Sequence, residues 1–203
     1  MFASEAIYRL IKLEFSSVLD VGSGEGEHSD FFLSKNKEVT AIDIGTSEYF
    51  KSRKESINFN FIRADFNDFD LKGRKWDTIW CSHVLEHQRN VGRFLEKIIN
   101  ATNENGYIAL TVPPRKDNIV GGHLTIWNAG LLIYNLVMAG LDCSEAMVKT
   151  YGYNISIIVK KKLIQIPNNL DMDIGDIEKL SSFFPKGYDR QNFNGFIEEL
   201  NWN

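Results

Sequence analysis

The stretch Val18-Leu19-Asp20-Val21-Gly22-Ser23-Gly24-Glu25-Gly26 concentrates the chemistry of this chain. An apolar run ends on glycines, which reach positive φ and let a ligand come close to the backbone. In an open α/β sheet, a turn of that kind after the first strand is where nucleotide-like ligands sit. The spacing argues against a pyrophosphate. A dinucleotide loop reads G-x-G-x-x-G and seats its phosphates on the next helix N-terminus. Here the third glycine comes one residue early, and Glu27 stands where the dinucleotide pattern would be completed. No Gly-Lys-Ser/Thr follows, so a Walker loop is excluded as well. Asp20 precedes the loop and Glu25 lies within it. Carboxylates in those places repel phosphate and suit a cation.

Two more acids end apolar runs. Val39-Thr40-Ala41-Ile42-Asp43 places a carboxylate where both ribose hydroxyls of a nucleoside could donate to it. Capping of the next helix is the alternative use of Asp43. Phe61-Ile62-Arg63-Ala64-Asp65-Phe66 ends on an acid that could accept an adenine amino group and an aromatic that could lie against the ring. A nucleoside that is positively charged and lacks phosphate fits all three strand ends. S-adenosylmethionine, with its sulfonium and ammonium, is such a ligand.

The elements that must position these residues alternate. Residues 3–13 read as a short helix, 17–21 as a buried strand, 28–35 as a helix and 38–43 as a second strand. Residues 47–54 read as a weak helix, 59–64 as the third strand and 76–81 as the fourth. Phe94, Leu95, Ile98 and Ile99 share one face of a helix over 91–102. Asn105-Gly106 turns the chain into a fifth strand over 107–112, stopped by Pro113-Pro114. An apolar helix over 126–139 is followed by β-rich stretches at 144–151 and 154–161, joined at Gly152-Tyr153. This order predicts an α/β, Rossmann-like three-layer sandwich with a mostly parallel sheet. Residues 1–165 form the ligand-binding domain in this reading. Residues 166–203, rich in Asn, Asp, Phe and Gly, form an extension that packs on the domain or on a partner.

Taken in order, residues 18–26, Asp43, Ala64-Asp65, the run Trp76-Asp77-Thr78-Ile79-Trp80-Cys81-Ser82-His83-Val84-Leu85-Glu86-His87 and residues 105–113 resemble the class I S-adenosylmethionine-dependent methyltransferases. The resemblance covers roughly three quarters of the chain, about what one such domain needs. It implies a seven-stranded sheet whose last strand runs antiparallel. It also implies that Asp20, Gly22, Gly24 and Gly26 contact the methionine part of the cofactor, that Asp43 holds the ribose, and that Asp65 and Phe66 hold the adenine. Cys81 and Ser82 would face the methionine carboxylate and the transferring methyl group. Ile44 and His87 complete the expected cofactor shell. The Val-Leu-Glu-His motif at residues 84–87 is similar to that of a subset acting mostly on small molecules, among them sugar, glycan and quinone O-methyltransferases. The expected reaction is methyl transfer to a hydroxyl of such an acceptor. The alternatives are a nicotinamide-dependent oxidoreductase, against which the displaced glycine and Asp20 speak, and a non-catalytic S-adenosylmethionine-binding protein.

Two histidines are candidates for work on the acceptor. His123, after Gly121-Gly122 on the rim beyond the fifth strand, is the expected general base, with His83 as the competing candidate. His83-Val84-Leu85-Glu86-His87 also spells the inverted zinc-protease motif, but that motif needs a helix through His83, where a strand ends. Some quinone O-methyltransferases bind a divalent cation through Glu-x-x-Glu-His at this place. His83 replaces the first Glu, and magnesium prefers oxygen ligands, so no metal is expected.

Bulk properties agree with this reading. The chain has 203 residues and a net charge of −4, which gives no general pull toward nucleic acid or acidic membranes. The basic run Lys160-Lys161-Lys162 is a solvated strand end. Cys81 and Cys143 form no framework and point to a reducing, cytoplasmic setting. Neither a signal peptide nor a membrane-spanning run is evident in residues 1–203.

Overall fold

The computed structural model describes residues 2–52, 60–187 and 195–202. Eight strands form one sheet in the order β3-β2-β1-β4-β5-β7-β6-β8. β1 (Ser17–Val21), β2 (Glu38–Asp43), β3 (Asn60–Arg63), β4 (Trp76–Ser82) and β5 (Thr102–Val112) pair in parallel. β7 (Asn154–Lys160) runs antiparallel to β5 and to β6 (Met147–Tyr151). The sheet is mostly parallel with an antiparallel end, as expected. It carries one strand more than the seven expected: β8 (Glu199–Leu200), a two-residue strand from the C-terminal segment, pairs with β6.

Parallel central strands are covered on both faces, so their residues are apolar on both. Alternation then sends neighbours to opposite sides. Leu19, Ile79 and Ile108 join a core with α4 (Val91–Ala101) and α5 (Ala129–Met138). Val18, Trp80 and Ala109 join a second core with α1 (Ser4–Leu10) and α2 (Glu27–Ser34). The C-terminal segment contributes to both faces. Leu180 and Phe184, around the short α6 (Asp176–Lys179), enter the first core and Trp202 the second. A four-residue helix, α3 (Glu48–Lys51), stands where the weak helix was expected; residues 53–54 of that expectation, and Phe59 at the start of the third strand, lie outside the described residues.

Several boundaries differ, the first helix ending at Leu10 and β6 starting at Met147 among them, and two have a local reason. The apolar helix starts at Ala129 rather than at Ile126, because the Asn128 side chain accepts from the Leu131 N–H at 2.7 Å and caps the first turn. β5 starts at Thr102 rather than at Tyr107. Its pairing with β4 shifts register between Trp76 and Thr78, and Asn105, at φ 63°, absorbs the irregularity within the strand. Among the described residues, no helix is long and apolar enough to cross a membrane.

Candidate active site

The strand order reverses between β1 and β4, which opens a crevice at their carboxyl ends. The glycine loop fills one side. Gly22, Gly24 and Gly26 all lie in the left-handed region, at φ 75°, 51° and 89°. At Gly22 no other residue fits, since a Cβ would stand 2.2 Å from the Val84 Cγ2. The loop is held by Asp43. Its Oδ2 accepts from the Gly24 N–H at 2.8 Å and its Oδ1 from the Gly45 N–H at 2.7 Å. Each carboxylate oxygen keeps a second lone pair for a ligand. Ile44, next to it, is half exposed.

Asp20 lies beneath the loop, 1 % exposed, and accepts from the Ser29 hydroxyl at 2.6 Å. Its negative charge bears on Cys81, at the neighbouring strand end. Cys81, at the end of β4, reports that field: burial first, then the negative charges of Glu86 and Asp20, push its thiol well above the usual range. Cys81 is therefore a neutral thiol. Among the described residues, the buried hydroxyls of Ser23 and Ser82 have no hydrogen-bond partner. Loop geometry that excludes a Cβ, orphaned hydroxyls on the loop and on β4, and a negative field together fit a cationic nucleoside such as S-adenosylmethionine.

A family model described as a methyltransferase domain matches residues 2–167. The chain belongs to the class I S-adenosylmethionine-dependent methyltransferases. Among curated relatives, the malonyl-[acyl-carrier protein] O-methyltransferase of Enterobacter lignolyticus (strain SCF1) is 23% identical over 109 residues, 54% of this chain and 43% of the relative. The ubiquinone biosynthesis O-methyltransferase of Rickettsia typhi is 28% identical over 112 residues, 50% of this chain and 45% of the relative. The chain thus spans less than half the length of either relative. In fold it is similar to the 1,6-didemethyltoxoflavin-N1-methyltransferase of Burkholderia thailandensis, solved with 1,6-didemethyltoxoflavin and S-adenosylhomocysteine. The TM-score is 0.63 at 17% identity, covering 79% of this chain and 77% of that one.

Beyond the carboxyl end of β3, Asp65 and Phe66 are placed differently from each other. Asp65 Oδ1 accepts from the Asn67 backbone N–H at 2.8 Å and from its side chain at 3.0 Å, and Asn67 in turn donates to Gln88. Phe66, expected on the adenine, is only 6 % exposed and packs edge-on against Phe94 in the core. The local sequence set its position after β3, but core packing turned its ring inward.

The opposite wall is built from β4 and the segments around it. His83 follows β4 in the left-handed region, φ 56°. Its Nδ1 lies 3.3 Å from Glu86 Oε1 and its Nε2 2.9 Å from Asn154 Oδ1. Burial lowers its affinity for a proton, but the bonds to Glu86 and Asn154 outweigh this and raise its pKa. The Tyr153 ring stacks on His83, and Phe2 from the N-terminal segment meets it edge-on. Glu86 is 1 % exposed, in the 3-10 turn Leu85–His87. The half-exposed His87 contacts the Gly122 carbonyl through Nδ1 at 2.8 Å. His123 packs edge-on against His87, with ring centres 5.2 Å apart. Burial holds the His123 imidazole below the ordinary histidine range; Glu86 raises it, while His87, His83 and Lys116 lower it.

The structure therefore gathers Gly22, Gly24, Gly26 and Asp43 on one wall, and Cys81, Ser82, His83, His87 and His123 on the other. Asn154, Tyr153, Gly122 and Phe2 were not foreseen. No local motif marks Asn154, Tyr153 or Phe2, because each reaches the site from a distant part of the chain, and Gly122 enters through its carbonyl, which side-chain reading passes over.

Proposed function

We propose that this chain transfers the methyl group of S-adenosylmethionine to a hydroxyl of a small acceptor, such as a sugar, a glycan precursor or a quinone-like phenol. The observation that carries this reading is the Asp43-pinned, left-handed glycine loop set in a negative field. The cofactor supplies an electrophilic methyl on a positively charged sulfur, itself a good leaving group. The residues of the chain bind and orient. Asp43 offers its remaining lone pairs to the ribose, with Ile44 alongside, and Asp65 meets the adenine. The loop amides, Cys81 and Ser82 face the methionine end, Asp20 supplies charge from below, and His87 closes the shell. Holding donor and acceptor in line, away from water, supplies most of the rate.

His123 serves the acceptor. Among the described residues its ring nitrogens take no hydrogen bond, so a lone pair is available to receive the hydroxyl proton. His83, engaged at both nitrogens by Glu86 and Asn154, is a positioning residue that braces the same wall. Residues 1–165 carry the cofactor site, and the described residues of the 166–203 extension pack on that domain. A small acceptor rather than nucleic acid is supported by the net charge of −4, and a reducing, cytoplasmic setting by two buried free thiols.

The test is formation of S-adenosylhomocysteine with a panel of phenols, sugars and nucleotide sugars. Turnover on a hydroxyl acceptor should fall at least about 100-fold in His123→Ala, with cofactor affinity unchanged. Calorimetry showing no heat with S-adenosylmethionine or S-adenosylhomocysteine, but saturation with a pyrophosphate-bearing coenzyme, would overturn the reading. Binding without turnover on any acceptor would leave a binding protein only.

A further inference from the structure

We propose that the cleft between the loop after β5 and the start of α5 is the acceptor pocket, and that the acceptor it takes carries a carboxylate or phosphate on an apolar body. The inference rests on the methyl-transfer reading and names a substrate class for it. The cleft holds about 410 Å³, a volume in the range of small-molecule sites. Arg115 and Lys116 line it together with the apolar Ile126, Trp127 and Leu131.

The cations follow directly from the end of β5. Pro113-Pro114 stops the strand, and Arg115 and Lys116 come next, both exposed. Arg115 meets Asp117 at 3.1 Å, which answers part of its charge. Lys116 forms no ion pair among the described residues; its ammonium lies over the Tyr153 ring, 4.2 Å from the ring centre. A lysine held on an aromatic face keeps its N–H donors for an anion. The arginine beside it presents a planar fork that fits carboxylate and phosphate alike. In a chain of net charge −4, two adjacent cations on one cleft reverse the sign locally. Asp20 and Asp43 stay on the glycine-loop side, so the cationic cofactor and an anionic acceptor are sorted by charge.

The rest of the lining suits an apolar body. Ile126 and Leu131 turn 59 % and 42 % of their surface to solvent in this cleft. Covering them with an aromatic or alkyl face removes that surface from water. Trp127 is 2 % exposed, and among the described residues its Nε1–H has no hydrogen-bond partner. A buried indole N–H ordinarily has an acceptor, and an oxygen of a bound anion would supply one.

The cleft adjoins the reacting wall. Tyr153, which carries the Lys116 ammonium, stacks on His83. The Lys116 charge also reaches His123 and helps to keep that imidazole neutral. An acceptor anchored by its anion is therefore held next to the base that receives its hydroxyl proton.

The full chain is titrated with p-hydroxybenzoate, p-hydroxyphenyl phosphate and neutral p-cresol, with and without saturating S-adenosylhomocysteine. At least one anion should bind about tenfold more tightly than p-cresol, and the tighter of the two assigns the group as carboxylate or phosphate. Glucose phosphate, an anion without an apolar face, should bind more weakly than p-hydroxyphenyl phosphate. Arg115→Ala/Lys116→Ala should abolish the preference for anions; both side chains are exposed, so the double variant should fold. Lys116→Arg should keep the preference, and Lys35→Ala, at the far end of α2, should not alter it. Equal affinity for p-cresol and both anions, or an unchanged preference in the double variant, overturns the pocket. Glucose phosphate binding as tightly as p-hydroxyphenyl phosphate overturns the apolar body. If S-adenosylhomocysteine binds while no anion is preferred, the pocket falls and the methyltransferase reading stands. If S-adenosylhomocysteine fails to bind the folded chain, the acceptor role falls with that reading, whatever the probes do.

Discussion

Replacing Asp43 by Asn tests whether the glycine loop is held by one carboxylate. The side chain is 8 % exposed and accepts two backbone N–H groups, from Gly24 at 2.8 Å and Gly45 at 2.7 Å. Hydrogen bonds to a charged acceptor contribute about 1.5–3 kcal/mol each. Asn keeps one acceptor oxygen and turns an NH₂ group toward the other N–H, so one bond is lost and two donors face each other. A penalty of about 2 kcal/mol on the loop conformation follows, and it falls on the state that binds cofactor. At constant intrinsic affinity, that penalty raises the apparent Kd for S-adenosylhomocysteine about 30-fold. Calorimetric titration of wild type and variant reads the ratio, and far-ultraviolet circular dichroism checks that the sheet is intact. A folded Asp43→Asn variant that binds within about threefold of wild type, under 1 kcal/mol, would refute the claim that this carboxylate organises the loop.

Two further outcomes follow from the same geometry. Gly22→Ala forces a Cβ to 2.2 Å from Val84 Cγ2 at φ 75°; left-handed strain and overpacking together should cost about 2–5 kcal/mol and lower Tm by about 5–15 °C, and calorimetry showing wild-type Tm would contradict the packing described. Asp77 sits at the foot of β4: burial raises its pKa, but hydrogen bonds from Asn103, Ser17 and Ser16 more than offset this and hold it below the ordinary carboxylate range. Because the folded pKa lies below the unfolded one, its contribution is complete above about pH 4 and fades as pH falls through the folded value. Asp77→Asn should therefore lose about 1–2 kcal/mol at about pH 7 and much less at about pH 3, read by urea unfolding at both; an equal loss at both would rule out the charge as the cause.

Sequence by itself determined the strand–loop–helix order, the glycine loop and the acid at the end of β2. These depend on local regularities: apolar runs that suit buried strands, a helical repeat in α4, and glycines where only positive φ closes the turn. The same local view misjudged the start of α5, where an apolar run masks the cap at Asn128, and the start of β5, where Asn105-Gly106 bends within a strand rather than before one. Tertiary structure alone decided the rest. Phe66 packs edge-on against Phe94 of α4, and Asp20 accepts from the Ser29 hydroxyl. His83 gained Asn154 across 71 residues of chain, and His87 gained the Gly122 carbonyl across 35. Such pairings follow from which strands lie side by side and which loops clasp, and side-chain spacing along one segment carries no record of them.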